Sequence, residues 1–152
     1  MRRKDKEISE RAELEAIIRQ ALVCRLAFIS DNVPYIIPLN YGFRDNCLYF
    51  HSAPQGHKIE ALKRDGSVCF EIETDVELVQ SDSVCKWGTK YRSVIGHGRA
   101  SFIEEAEEKR EALDIIIGHY QLGKFDYPSA NVGKLVVIKV EIESMTGKKS
   151  GF

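Results

Sequence analysis

The segment from Tyr49 to Lys58 contains the residue types best suited to hold an anion. A strand-like run ends at Ser52, a short turn with Gly56 follows, and a helical pattern starts at His57. Free backbone N–H groups at a helix start can bind an anion, and a bound phosphate there would explain the cation Lys58. From the spacing alone, an ordinary solvated lysine is the commoner explanation, because the helix-dipole effect is only about 0.3–1 kcal/mol.

Arg92 and Ser93 form a second polar pair. They are adjacent at the start of a strand-like run, so their side chains should point to opposite faces unless a bulge intervenes. The planar guanidinium can bind two phosphate oxygens at once, which favours a second anion contact. A surface salt bridge is at least as common an explanation for Arg92.

Histidine side chains offer a further kind of chemistry. His51 closes the strand before the turn and could reach a ligand or a metal, and His97 lies between two glycines. A lone histidine is more often a hydrogen-bonded structural residue. The sequence has no His-x-x-x-His pair, no Gly-x-Ser-x-Gly motif and no Walker loop, so it gives no support to a hydrolase, a metalloprotease or a nucleotide triphosphatase. We predict no metal site and expect a cofactor to supply the chemistry.

The composition fits one domain, residues 1–152. The 22 lysine and arginine residues nearly balance the 23 aspartate and glutamate residues, which disfavours nucleic acid and anionic membranes as partners. No segment approaches the roughly 20 apolar residues that span a bilayer. The four cysteines have no Cys-x-x-Cys spacing. Cys24, Cys47 and Cys69 lie in strand-like segments and are predicted to be reduced core residues, whereas Cys85, beside Lys86 and Trp87, is left open. We therefore predict a cytoplasmic protein.

Apolar periodicity predicts the elements that position these residues. Three helices are expected, with Ser9 as the first N-cap and Gly66 in a left-handed position after the second: Ser9–Leu22, His57–Asp65 and Glu104–Tyr120. Six strands are expected: Arg25–Ser30, Val33–Phe43, Cys47–Ser52, Val68–Glu73, Tyr91–Ile103 and Leu135–Glu143. This set predicts a small antiparallel barrel, mostly β with peripheral helices.

Prolines and glycines mark special places in these strands. Pro34 and Pro38 confine the second strand to an edge, which would bind a flat ring or a partner chain, or would simply be protected against aggregation. Gly96 and Gly98 are candidates for a bulge or bend that helps to close the barrel.

Several of these segments, taken in order, resemble the nitroimidazole-resistance branch of the pyridoxamine-phosphate-oxidase-like superfamily. The similar segments cover nearly the whole chain: Met1–Ile8, Pro34–Tyr41, Tyr49–Lys58, Tyr91–Ile95 and Met145–Lys149. The resemblance implies a six-stranded split β-barrel and a homodimer with FMN in two clefts that both subunits form. FAD is a possible substitute for FMN.

The resemblance also implies a set of cofactor-binding residues. Asn40 and the backbone beside it, from Pro38, Leu39 and Tyr41, would meet the flavin ring. His51 and Ser52 would lie below the ring and Lys58 at the phosphate. Arg92 and Ser93 would line the cleft.

The function expected from this resemblance is a reductase. A nicotinamide donor would reduce FMN, which would pass electrons to a nitro group or another small organic acceptor, with His51 as the catalytic residue. Activity on pyridoxamine phosphate is not expected, because the chain lacks the longer arginine-containing C-terminal segment of the oxidases proper. The alternative is a flavin or haem binding and storage protein, with His51, His57 or His97 as an axial ligand.

Overall fold

The computed structural model describes residues 3–121, 123, 126–128 and 132–152. Its helices are α1 (Arg11–Gln20), α2 (His57–Arg64) and α3 (Ala106–Gly118). Its strands are β1 (Glu7–Ile8), β2 (Cys24–Ser30), β3 (Val33–Leu39), β4 (Gly42–Arg44), β5 (Cys47–Ser52), β6 (Ser67–Val79), β7 (Gly88–Ile103) and β8 (Val136–Ser150). Single 3₁₀ turns lie at Lys4–Lys6 and Val84–Lys86.

All eight strands belong to one antiparallel sheet in the order β3-β2-β6-β7-β8-β5-β4, and β1 pairs with β8. Within the described residues β3 and β4 do not pair, so the sheet is open along one seam. This confirms the predicted fold class, a mostly-β split barrel with peripheral helices. The described residues form eight strands instead of six because β1 is added and the second predicted strand is interrupted at Asn40 and Tyr41.

The main core fills the inner side of the curved sheet. Inward-facing side chains alternate along the strands, for example Leu26, Phe70 and Val94, which are fully buried. Helices α1 and α2 contribute their apolar faces to the same cluster, while α3 covers the outer side of β5 with a second cluster. We call the two ends of the sheet the α1 end, where β2 begins, and the α2 end, where β2 and β5 finish.

Two short hairpins connect β2 with β3 and β4 with β5. Asp31 and Asn32 have φ values of 51° and 62°, and Asp45 and Asn46 have the same pair of values. Positive φ at both central residues is typical of the type I′ turn, for which Asn and Asp are favoured. These turns fix the register of β2 with β3 and of β4 with β5.

Two predicted helix boundaries are wrong. The N-cap of α1 is Glu10, not Ser9, and it makes no side-chain capping hydrogen bond. Gly66 is not left-handed: α2 ends at Arg64, and its C-cap is Asp65 with an extended backbone at φ −143°. Gly66 is instead favoured by close packing, because a Cβ atom there would lie 2.5 Å from the carbonyl oxygen of Ala100.

The predicted irregularity in β7 is confirmed. The register between β7 and β8 shifts between His97 and Gly98. A Cβ atom on Gly96 would lie 2.3 Å from the Phe70 ring, so β7 passes directly over an aromatic core side chain at this point. The glycines therefore allow the strand to bend around the core.

One outer surface of the sheet has exposed apolar side chains. It is formed by the outward residues of β3, β2, β6 and β7, and we call it the open face. Ile29, Ile36 and Ile95 are about half exposed or more on this face, at 51%, 60% and 48%. At its centre Arg25 forms ion pairs of 3.0 Å with both Glu71 and Glu73.

Candidate functional site

The turn between β5 and α2, residues 52–58, has unused hydrogen-bonding capacity. Ser52 is 5% exposed, and its Oγ atom has no hydrogen-bond partner among the described residues. Gly56 has a φ of 136°, a conformation that residues with a Cβ atom disfavour. It is the N-cap residue of α2, so no side chain caps the first N–H groups of that helix. Lys58 is half-buried in the first turn of α2 and forms no ion pair within the described chain. We call this segment the α2 turn.

Contacts fix the α2 turn against β3. The His57 ring lies edge-on to Tyr35, with 5.1 Å between the ring centroids, and Tyr35 in turn packs on Phe28 at 5.5 Å. At the other end of α2, Arg64 forms a 2.8 Å ion pair with Asp31 in the β2–β3 turn. Strand β3 therefore runs from the α2 turn towards the α1 end.

The predicted ring-binding residues lie at the α1 end of β3. Pro38 is exposed on the open face, whereas Leu39 points inward and packs against the core. Asn40 follows the strand, is exposed, and makes no hydrogen bond with the described residues. Its amide is therefore available for a ligand.

Tyr41 has a structural role. Its hydroxyl is buried and donates to the carbonyl oxygens of Ile18 and Ala21. Its backbone N–H donates to the hydroxyl of Tyr120 at 2.8 Å, and that hydroxyl donates to the Leu22 carbonyl. Burial raises the pKa of the Tyr41 hydroxyl well above its usual value. Only the Tyr41 carbonyl is left to meet a cofactor.

Arg92 and Ser93 point to opposite faces, as expected for adjacent strand residues. The Arg92 Nη1 atom lies 2.5 Å from Asp75 Oδ2, and the guanidinium stacks on the Phe152 ring at 3.7 Å. The surface salt bridge considered for Arg92 is therefore present. Ser93 is nearly buried on the open face, in register with Glu73 and Lys148.

Within one chain, Arg92 and Ser93 lie far from the predicted site residues of the α2 turn. His51 and Ile103 both pair with Val137, so the α2 turn lies at the C-terminal end of β7. Ser93 lies ten residues earlier on the same strand, which at about 3.3 Å per residue is roughly 33 Å away. Arg92 and Ser93 therefore do not reach the α2 turn of their own chain.

His51 and Ser52 also point to opposite faces. His51 lies on the outer side of β5, on the same face as Tyr49, and is exposed. Ser52 points to the inner side with Phe50. The imidazole of His51 makes no hydrogen bond with the described residues, so it is free to meet a ligand from outside the barrel.

Sequence reasoning missed Ser30. It is 5% exposed at the α2 end of β2, and its Oγ atom has no partner among the described residues. The signal was a small polar residue on the inward side of a strand whose other inward residues are apolar. Asp75 was also missed, because its left-handed conformation, φ 57°, falls at a bulge that alternation does not reveal.

The described residues contain no group of three or more His, Cys, Asp or Glu side chains that could hold a metal ion. In the part of the chain that the structure describes, no helix is both long and apolar enough to cross a membrane.

These features define a split β-barrel protein with a polar turn at one end. Residues 10–149 match the model of the family described as pyridoxamine 5'-phosphate oxidase, and the chain belongs to this family. A crystal structure of a candidate 5-nitroimidazole antibiotic resistance protein from Bacteroides thetaiotaomicron is 38% identical, with a TM-score of 0.85, and the match covers 94% of this chain and 86% of that one. The family resemblance in the sequence is thus confirmed.

Two further relatives differ in how much they match. An FAD-binding protein from Mesorhizobium loti is 25% identical, with a TM-score of 0.71 over 96% of this chain and 98% of that one. An uncharacterized protein of Rhizobium meliloti is 32% identical over 65 residues, 43% of this chain. The match spans only 42% of that curated relative's length.

The contacts of Tyr41 lead to a stability prediction. Tyr41→Phe should lower the free energy of unfolding by about 1–3 kcal/mol, because it leaves the buried Ile18 carbonyl without its donor, whereas the Ala21 carbonyl keeps its contact with His119. Tyr35→Phe is the matched control, since the Tyr35 side chain is 42% exposed and its hydroxyl makes no hydrogen bond with the described residues. Urea denaturation measures both, and equal values for the two variants would contradict the structural role of Tyr41.

Proposed function

We propose that this protein binds FMN at a site shared by two copies and acts as an oxidoreductase. The observation that carries the proposal is the α2 turn, which contains, within residues 52–58, a buried hydroxyl, uncapped helix N–H groups and a lysine without an ion pair among the described residues. The family membership and the FAD-binding relative support a flavin as the ligand. When bound, the flavin supplies the hydride and electron transfer chemistry that no side chain can supply.

The α2 turn fits a phosphate group. The Ser52 hydroxyl can donate to a phosphate oxygen, and the N–H groups of His57 and Lys58 have no capping side chain. Lys58 adds a positive charge at the same place, which a helix start tolerates best beside an anion. The site needs no metal, because these donors compensate the charge of the phosphate directly.

The edge of β3 fits a flat ring with donors and acceptors along its rim. Pro34 and Pro38 have no N–H, and proline occurs in sheets where that group would point away from the neighbouring strand. Ile36 lies two residues from each proline, so its backbone has the same orientation as theirs. Its N–H and C=O groups therefore point to the free edge. Asn40 adds a free amide at the far end. The flavin ring would lie along β3, with its phosphate at the α2 turn.

A second copy would complete the site. Its Arg92 and Ser93 would reach the cleft, which they cannot do within their own chain. Arg92 donates one of its five N–H bonds to Asp75, so the guanidinium retains capacity for a ligand. The exposed apolar side chains of the open face supply the surface that a dimer would bury.

The proposed reaction passes electrons from a nicotinamide donor through the flavin to a nitro group or another small organic acceptor. The candidate antibiotic resistance protein, similar over 94% of this chain, supports that acceptor class. His51 is exposed at the end of β5 and would hydrogen-bond the acceptor and supply a proton. We place the protein in the cytoplasm, since all four cysteines are unpaired.

The visible absorption spectrum of the purified protein tests flavin binding directly. We expect the two broad bands of oxidised flavin, and after denaturation the released cofactor should be identified as FMN by chromatography against FMN and FAD standards. A sharp Soret band would instead indicate haem and would return the protein to the binding and storage alternative.

The role of Lys58 is tested with two ligands. Lys58→Gln should weaken FMN binding by about 10- to 150-fold, since a charge-assisted contact contributes about 1.5–3 kcal/mol. Riboflavin, which lacks the phosphate, should bind both proteins equally. Lys63→Gln, an exposed lysine on the same helix, is the matched control and should retain native FMN affinity. An unchanged FMN dissociation constant in Lys58→Gln would identify Lys58 as a solvated lysine.

The role of His51 is tested by separating the half-reactions. His51→Ala should bind FMN almost normally and be reduced by the nicotinamide donor at a near-native rate. Reoxidation by a nitroaromatic should be slower by about 10²–10⁴-fold, the usual contribution of a general acid. Stopped-flow absorbance follows both steps. Loss of flavin from the variant, or unaltered reoxidation, would show that His51 does not act on the acceptor.

A further inference from the structure

The chain turns after β8 and brings Phe152 back over β7. Gly151 has a φ of 79°, a left-handed conformation that glycine adopts without a steric penalty. A Cβ atom there would lie 3.0 Å from Cβ of Lys90, so the turn passes close to β7. Ser150, the last residue of β8, pairs with β7 and accepts a 3.1 Å hydrogen bond from Lys6 Nζ. The point at which the turn begins is therefore fixed.

The Phe152 ring contacts two cations on the same side of β7. Lys90 and Arg92 are two residues apart on this strand, so their side chains point in the same direction. Nζ of Lys90 lies 4.4 Å from the ring centroid, and the guanidinium carbon of Arg92 lies 3.7 Å from it. A guanidinium is planar and less strongly hydrated than an ammonium group, so it stacks on an aromatic face more favourably. Arg92 is therefore the principal partner of the ring.

Asp75 holds the same guanidinium by its edge. Arg92 Nη1 donates to Asp75 Oδ2, and Oδ1 of the same carboxylate accepts a 3.0 Å hydrogen bond from Gln20 at the end of α1. The Arg92 side chain is 33% exposed between these neighbours. Its Nε and Nη2 atoms make no hydrogen bond with the described residues. The guanidinium is thus held by one edge and one face, and its remaining N–H groups can donate to a ligand.

Holding the guanidinium in advance favours ligand binding. A long side chain that is free in solution loses rotamer freedom when a ligand fixes it, which weakens binding by about 2- to 12-fold for each such side chain. Stacking on Phe152 restricts Arg92 before any ligand arrives. An aliphatic residue at position 152 would cover the same surface, but it would lack the electrostatic attraction of an aromatic face for a cation.

We propose, on the basis of the proposed function, in which Arg92 lines the cleft of a second copy, that Phe152 is a positioning residue for that contact. Its ring holds the guanidinium in the orientation that binds the flavin. Phe152 acts through Arg92 and does not itself need to touch the cofactor.

The FMN dissociation constants of three single variants test this role, measured on the full chain by quenching of flavin fluorescence. Phe152→Leu keeps an apolar side chain but removes the ring, and it should weaken FMN binding by about 2- to 12-fold. Phe152→Tyr keeps the aromatic face and should bind FMN like the native protein. Lys90→Gln is the matched control, because Lys90 also contacts the ring but lies outside the predicted cofactor set. It should retain native affinity.

A double-mutant cycle shows whether Phe152 acts through Arg92. Arg92→Gln alone should weaken FMN binding by about 10- to 150-fold, the usual contribution of a charge-assisted contact. Adding Phe152→Leu to Arg92→Gln should cause no further loss, because the ring then has no guanidinium to hold. A residue that stabilised the site by another route would weaken binding in both backgrounds.

The possible failures of this proposal and of the Arg92 contact are distinguishable. If Arg92→Gln weakens binding, native affinity in Phe152→Leu, an equal loss in Phe152→Tyr or Lys90→Gln, or a further loss in the double variant would overturn the positioning role alone. Native affinity in Arg92→Gln would overturn both the Arg92 contact and the role of Phe152. Because Phe152 is 51% exposed, each variant should fold, and its thermal unfolding curve checks this.

Discussion

The length of β7 is the constraint on which the shared-site proposal depends. It pairs with β6 on one side and with β8 on the other along most of its 16 residues. A strand held by two hydrogen-bonded ladders cannot fold back on itself, so Ser93 and Ile103 stay at opposite ends of the sheet. If Arg92 and Ser93 bind the same ligand as the α2 turn, they must come from a second copy of the chain. The exposed apolar side chains of the open face offer a surface for that association.

The α2 turn contains polar groups that have no partner among the described residues and that a ligand could bind. A buried hydroxyl without a partner costs about 1–3 kcal/mol, and the Ser52 hydroxyl has no partner among the described residues. The charge of Lys58 in the first turn of α2 is also unfavourable, because it lies at the positive end of the helix dipole. A phosphate would relieve both at once, because it accepts hydrogen bonds and carries negative charge.

Alternation and turn chemistry were enough to predict much of the fold. The inward residues of β6, such as Phe70 and Ile72, alternate with polar ones, and the Asp-Asn turns have the chemistry of type I′ turns. The extension of β6 to Val79 was not predicted, because its outer part is exposed on both faces and has no period. Strand order was also inaccessible, since it depends on contacts between residues far apart in sequence.

The candidate site was predicted in part. Residue types and order identified the α2 turn, because a strand, a glycine turn and a helix start follow one another directly. The structural role of Tyr41 was not predictable, since its partners Ile18 and Ala21 lie on α1 and at its end, twenty or more residues away. The pairing of Arg92 with Asp75 was not predictable either, because it depends on a bulge that the alternation of apolar and polar residues does not reveal.

Complementation between two defective chains tests the shared site most directly. Lys58→Gln and Arg92→Gln chains with different tags would be coexpressed, and the mixed dimer purified through both tags. Each homodimer should bind FMN weakly, because each of its sites lacks one contact. The mixed dimer should bind one FMN per dimer with native affinity, since one of its two sites retains both residues. A mixed dimer without any native-affinity site, or a monomer that holds FMN at native affinity, would contradict the account.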